Sequence, residues 1–167
     1  LCDARGNLNP SAVGFSRQPL VRANLSGHWP RKKKWNFWNW IAPDFVFSVT
    51  LADIDLTSFC AFSLTDFRDG THWAGSSYGL PGRFALPEHV EASIAFHASG
   101  IDYDNRIDGD DLAVRFHGRA SGGTEIAASF AVRRPPGYES LNVVVPWSAS
   151  RFQCNSKHAA LPCEGEV

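Results

Sequence analysis

Between Ser93 and Arg133 the chain repeatedly changes polarity at every second residue. Ile94, Phe96 and Ala98 alternate with Ser93, Ala95 and His97. Leu112, Val114 and Phe116 alternate with Ala113, Arg115 and His117, and Ile126, Ala128, Phe130 and Val132 with Glu125, Ala127, Ser129 and Arg133. Successive side chains of an extended strand point to opposite faces, whereas a helix brings apolar residues back at three- and four-residue spacing. Each segment therefore predicts a strand with one face in a core and the other in water. Gly109 and Gly122-Gly123 mark the turns between them. Sheets with one wet face are antiparallel, so the region predicts an antiparallel meander.

The rest of the chain extends this pattern. Lys34 to Ile41 reads Lys-Trp-Asn-Phe-Trp-Asn-Trp-Ile, a β-prone aromatic run that Pro43-Asp44 separates from a second strand, Phe45 to Leu51. Thr57 to Leu64 predicts a third strand, and Asp69-Gly70 a turn before Thr71 to Tyr78. Leu141 to Val145 is apolar at every position but Asn142, which predicts a central or doubly covered strand. Residues 1–30, rich in Asn, Ser, Gly and Pro without a period, read as an ordered N-terminal arm, and residues 31–167 as the β domain. With 12 Phe, 6 Trp and 3 Tyr beside 14 Gly, 10 Pro and no Met, the composition favours short strands and tight turns. The expected fold is all-β: an antiparallel meander that closes into a barrel, or a sandwich. Closure would remove exposed edges, and the residues alone leave both architectures open.

The same residues exclude several functions. A net charge of −1 supplies no field to recruit nucleic acid or an anionic membrane, so the basic run Arg31 to Lys34 is read as a solvated strand entrance and no nucleic-acid partner is expected. No apolar stretch of about 18 residues exists, so no membrane span is expected, and with no signal-like segment the expected compartment is the cytoplasm. Cys2, Cys60, Cys154 and Cys163 form no C-x-x-C pair and have no His at zinc spacing, so no metal is expected. Cys60 lies in an apolar strand and reads as a buried thiol, while Cys154 and Cys163 could close a short loop. There is no phosphate-binding glycine loop, nucleophile elbow or triad pattern, and no cofactor is expected.

Three constellations could carry chemistry. Trp29, Trp35, Trp38 and Trp40 beside the basic run could stack a ligand, or simply fill the core. Asp53 and Asp55 continue the phase of Phe45, Phe47, Val49 and Leu51, so a long enough strand would point both carboxylates toward the apolar side as candidate acids; the alternative is a strand end bound by turn amides. Glu139, Asn142, Trp147 and Lys157 surround the apolar strand delivered by Pro135-Pro136-Gly137. A carboxylate and an amide there need partners, from a structural network or from a ligand, and Glu139 is a third candidate acid.

Leu1 to Gly6, Arg31 to Trp38, Ser48 to Asp55, and above all Arg134 to Ser148 with Arg151-Phe152-Gln153 and Ser156-Lys157, resemble the family catalogued as domain of unknown function 2804. The resemblance implies that the chain is the N-terminal half of a protein about twice its length. More distantly, the family is similar to two-barrel lipocalin-like proteins that include carotenoid hydratases. That likeness implies a lipocalin-like (calycin-type) barrel, with Gly27-His28-Trp29 in place of the lipocalin G-x-W and Arg133 or Arg134 covering its Trp. It favours a module that binds a hydrophobic small molecule of the lipid or isoprenoid class together with a C-terminal half. The alternatives are an acid–base hydratase or isomerase acting on a double bond, and a scaffold half without its own site.

Overall fold

The protein is described by a computed structural model covering residues 1–82 and 84–167. β2 (Lys34–Ile41), β3 (Phe45–Asp53), β4 (Ser58–Asp66) and β5 (His72–Gly79) form one antiparallel meander. β6 (Ile94–Ala98), β7 (Ile101–Asp108), β8 (Asp111–Arg119) and β9 (Glu125–Arg133) form a second, extended at β9 by β12 (Cys163–Glu166). β1 (Gly14–Ser16), β10 (Leu141–Ser148) and β11 (Arg151–Lys157) make a third sheet, with β10 in the middle. Among the described residues the only helical segment is a 3-10 turn at Pro10–Ala12, and no helix is long and apolar enough to cross a membrane. Tight hairpins explain the compact second sheet: Gly100 and Gly109 sit in the β6–β7 and β7–β8 turns at φ 79° and 59°, where a side chain would be strained.

The inward-facing residues expected from the alternation, Ile94, Phe96, Leu112, Val114, Phe116, Ile126, Phe130 and Val132, are all buried. They meet the inner face of the first sheet. Trp40 stacks on Phe130 with ring centroids 4.6 Å apart, Phe47 packs between Phe116 and Phe130, and Phe62 lies 4.7 Å from Phe116. Gly75 and Gly118 permit this approach. A Cβ at Gly75 would fall 2.6 Å from the Phe62 ring and 2.7 Å from the Arg119 carbonyl, so the rings occupy the space that side chains would need.

Three expectations change. No sheet closes on itself: the two large sheets face each other across the core as in a sandwich, with β2 and β5 at the edges of one and β6 and β12 at the edges of the other. Second, of the two readings of β10 the central one holds and the doubly covered one does not: it is the middle strand of its sheet, covered on one face only. Asn142 and Val144 are buried, whereas Leu141, Val145 and Trp147 are exposed. Its run of valines masked an ordinary in–out alternation, because an apolar residue on an open face reads the same as one in a core. Third, the G-x-W likeness does not extend to packing. Trp29 is 71% exposed, Arg133 pairs with Asp111, and Arg134 pairs with Glu91. All four cysteines are free; Cys154 and Cys163 lie in different sheets.

Candidate functional site between the sheets

Strand register fixes which inward side chains lie abreast. On the first sheet Trp40, Phe47, Leu64 and Trp73 form one row, Trp38, Val49, Phe62 and Gly75 the next, then Asn36, Leu51, Cys60 and Ser77, and finally Lys34, Asp53, Ser58 and Gly79. The interior therefore grades from aromatic at one end to polar at the other. On the facing sheet, Tyr103 lies abreast of Phe96 and Phe116, and Asn105 abreast of Ile94 and Val114. The Tyr103 hydroxyl comes near the Cys60 thiol of the opposite sheet.

Among the described residues four polar atoms in this interior have no partner in good hydrogen-bond geometry: Asn36 Oδ1 and Trp38 Nε1 on β2, and Tyr103 OH and Asn105 Oδ1 on β7, where the Asn105 side chain lies close enough to act on the Tyr103 hydroxyl. Tyr103 and Asn105 are 0% and 1% exposed. A buried polar group left unpaired costs about 1–3 kcal/mol, and most such groups in native proteins are paired, so two such pairs, one on each large sheet, are a concentration that needs a reason. Burial pushes the Tyr103 phenol well above its ordinary value, partly opposed by the Asn105 amide beside it, so the group is a neutral hydroxyl at physiological pH. Burial likewise pushes the Cys60 thiol up to about 12, which leaves it protonated and inert as a nucleophile.

The polar end is closed by ions. Lys32 Nζ lies 3.2 Å from Asp53 Oδ2 and 3.4 Å from Asp55 Oδ1, and the Lys32 backbone N–H donates to Asp55 Oδ2 at 2.9 Å. β3 ends at Asp53, and Asp55 lies beyond it at φ 52°. Lys34, abreast of Asp53, turns its ammonium to the carbonyls of Leu86 at 2.8 Å and Pro87 at 3.3 Å. The run Arg31 to Lys34 thus alternates like the strand it enters: Lys32 and Lys34 are half-buried, Arg31 and Lys33 exposed.

The residues singled out in the sequence are divided by this geometry. Trp38 and Trp40 face the interior, whereas Trp29 and Trp35 face solvent, so the four tryptophans make no common stacking surface. Asn142 belongs to a separate network under β1. It donates to Ser140 Oγ at 2.8 Å and to Ser16 O at 3.3 Å, and accepts from Ser156 Oγ at 2.6 Å. Glu139 lies outside that network, pairing at 3.3 Å with Arg17 in solvent. Trp147 and Lys157 are exposed. Asn142→Ala is therefore expected to cost about 1–3 kcal/mol by stranding two hydroxyls, and Glu139→Ala no more than about 0.5 kcal/mol. Thermal melts of the two variants should separate them clearly; equal losses would contradict this assignment.

Sequence reasoning missed Tyr103 and Asn105. The signal was available: Ile101, Tyr103, Asn105 and Ile107 keep period two, but charged outward neighbours and an inward amide hide it. Two hollows lie elsewhere on the molecule. One, of about 160 Å³, lies between the arm and β10–β11, and a shallow one lies on β8, β9 and β12.

The family model described as Domain of unknown function (DUF2804) matches residues 1–167. No curated protein and no solved structure matches the chain.

Proposed function

The chain belongs to the DUF2804 family, and from that premise we propose that it is a binding module for a small amphiphile held between its two large sheets. The observation that carries this reading is the set of unpartnered polar atoms at Asn36, Trp38, Tyr103 and Asn105 on a lumen otherwise lined by aromatic rings. A polar head accepting from Tyr103 and donating to the Asn105 amide would satisfy that pair, while an apolar body of lipid or isoprenoid type would lie along Phe62, Phe116, Phe47 and Trp40 towards β2. The interior is packed in the present state, so entry requires the sheets to part at edges that no hydrogen-bond ladder seals.

In this reading the two sheets are the halves of a flattened barrel. Support comes from the approach of β5 to β6 and from the bond donated by Ser121 N to Ala74 O, which ties the β8–β9 turn to β5. The exposed Phe15, Leu141, Val145 and Trp147 would then face a companion module. An acid–base enzyme has less support. Asp53 and Asp55 are both engaged by Lys32 and Glu139 stands in solvent, so none of the three faces the lumen as a free acid.

The test exploits a trade between stability and binding. Tyr103→Phe and Asn105→Leu remove orphaned groups, so each should raise stability by about 1 kcal/mol. Each should also weaken binding of a dansylated fatty acid by tenfold or more. A wild-type protein that fails to bind a panel of such amphiphiles, or variants that bind unchanged, would defeat the proposal. Loss of stability in both variants would assign the polar atoms to an internal structural role.

A further inference from the structure

Residues 84–93, the stretch leading into β6, lie across the polar end of the lumen without regular structure. Its attachments fall into two kinds. Phe84 packs edge-on against Phe96 at 5.3 Å and Leu86 is buried in the core, so two side chains plug the gap between the sheets. The polar ties among the described residues are Lys34 Nζ to the carbonyls of Leu86 and Pro87, Ala23 N to Glu88 O at 2.7 Å, the exposed pair Arg22–Glu88 at 2.8 Å, and the ion pair of Glu91 with Arg134 just past β9. Ser93 Oγ accepts from Ile107 N at 2.9 Å and fixes the far end to β7.

We propose that residues 84–93 are a lid over the inter-sheet site and that Lys34 is its latch. An ammonium donating to two carbonyls at a half-buried position makes stronger bonds than a neutral donor, and among the described residues it is the only side-chain tie from the lid to the first sheet. Leu86 and Phe84 seat by apolar contact alone, with no bond to hold them once the carbonyls are free. The outer clasp, Arg22–Glu88, is exposed on both sides, and such pairs contribute little. Glu91 and Ser93 hold the far half of the segment to the second sheet, so Lys34 governs how often the Phe84–Glu88 half lifts, while the sheets keep their own ladders. The gating role rests on the binding reading above; the lid and latch do not.

Cys60 supplies a ligand-free readout. It is 0% exposed and lies one row inside Lys34, so its thiol is reached only when that end opens. In a background with Cys2, Cys154 and Cys163 changed to Ser, alkylation of Cys60 by iodoacetamide measures opening directly. Lys34→Met should raise the alkylation rate at least tenfold while the urea midpoint moves little. Native-state hydrogen exchange should show faster exchange at the Ala23 amide, which donates to Glu88 O, with the β8 and β9 amides unchanged. Lys34→Arg, which keeps a donating cation, should stay within threefold of the parent and serves if the Met variant folds poorly. Unchanged alkylation in Lys34→Met overturns the latch, as does alkylation that rises only in step with global unfolding. If opening follows prediction but the dansylated fatty acid does not bind, the lid stands and the binding reading fails.

Discussion

Phe47→Ala should destabilise the protein by about 3–5 kcal/mol, the largest loss expected from any single truncation of the core. Phe47 is 0% exposed and touches three rings: Trp40 at 5.7 Å, Phe116 at 5.1 Å and Phe130 at 5.9 Å between centroids. Its removal would take away a transfer term and leave a cavity walled by rigid aromatics on two sheets. Those rings cannot collapse into the space, because Trp40 is stacked flat on Phe130 at an interplanar angle of 6° and Phe116 is braced by Phe62. Total stabilities of about 5–15 kcal/mol are typical, so the variant should be partly unfolded at physiological temperature. Phe37→Ala is the internal comparison: it sits on the same sheet, 56% exposed on the outer face, and should change stability by less than about 1 kcal/mol. Urea unfolding of the pair checks both values; similar losses would mean that the inner and outer faces have been exchanged.

That contrast shows how far the sequence could be read. Where one face is apolar and the other polar, period two identifies the strand, its inward face and its neighbours, as for β8 and β9. The reading failed where polarity and burial part company. β7 was hidden because Tyr103 and Asn105 carry polar atoms inward, and β10 was misjudged because Leu141 and Val145 carry apolar atoms outward. The site itself was only half legible. Trp38 and Trp40 were found, but Asn36 and the pair Tyr103 and Asn105 lie on different, facing sheets, and no spacing rule links residues that far apart in the chain. Closure of a sheet depends on twist and on edge hydrogen bonds, and the alternating pattern carries neither.

Lys32→Met should cost about 2–4 kcal/mol, far more than a lysine in a basic surface run would suggest. Lys32 is the one cation placed between Asp53 and Asp55, whose side chains are 9% and 10% exposed against 25% for its own. The Met variant keeps most of the apolar stem, so the loss isolates the ammonium. Without it two carboxylates are left close together in a poorly hydrated corner, each repelling the other and neither able to reach water freely. Fully buried pairs broken in this way lose about 3–5 kcal/mol, and the quarter exposure of Lys32 lowers the figure for this triad. A second change decides whether charge is the cause. Asp53→Asn added to Lys32→Met should recover about half of the loss by removing one of the stranded charges, whereas Asp53→Asn alone should be mildly destabilising; a double-mutant cycle reads this coupling directly. If Lys32→Met melts within about 0.5 kcal/mol of the parent, the triad is a surface pair of little consequence. If instead the loss is large but Asp53→Asn recovers none of it, the ammonium acts through Asp55 and the backbone turn at φ 52°, and the polar end of the lumen is held by that turn rather than by ion pairing with the end of β3.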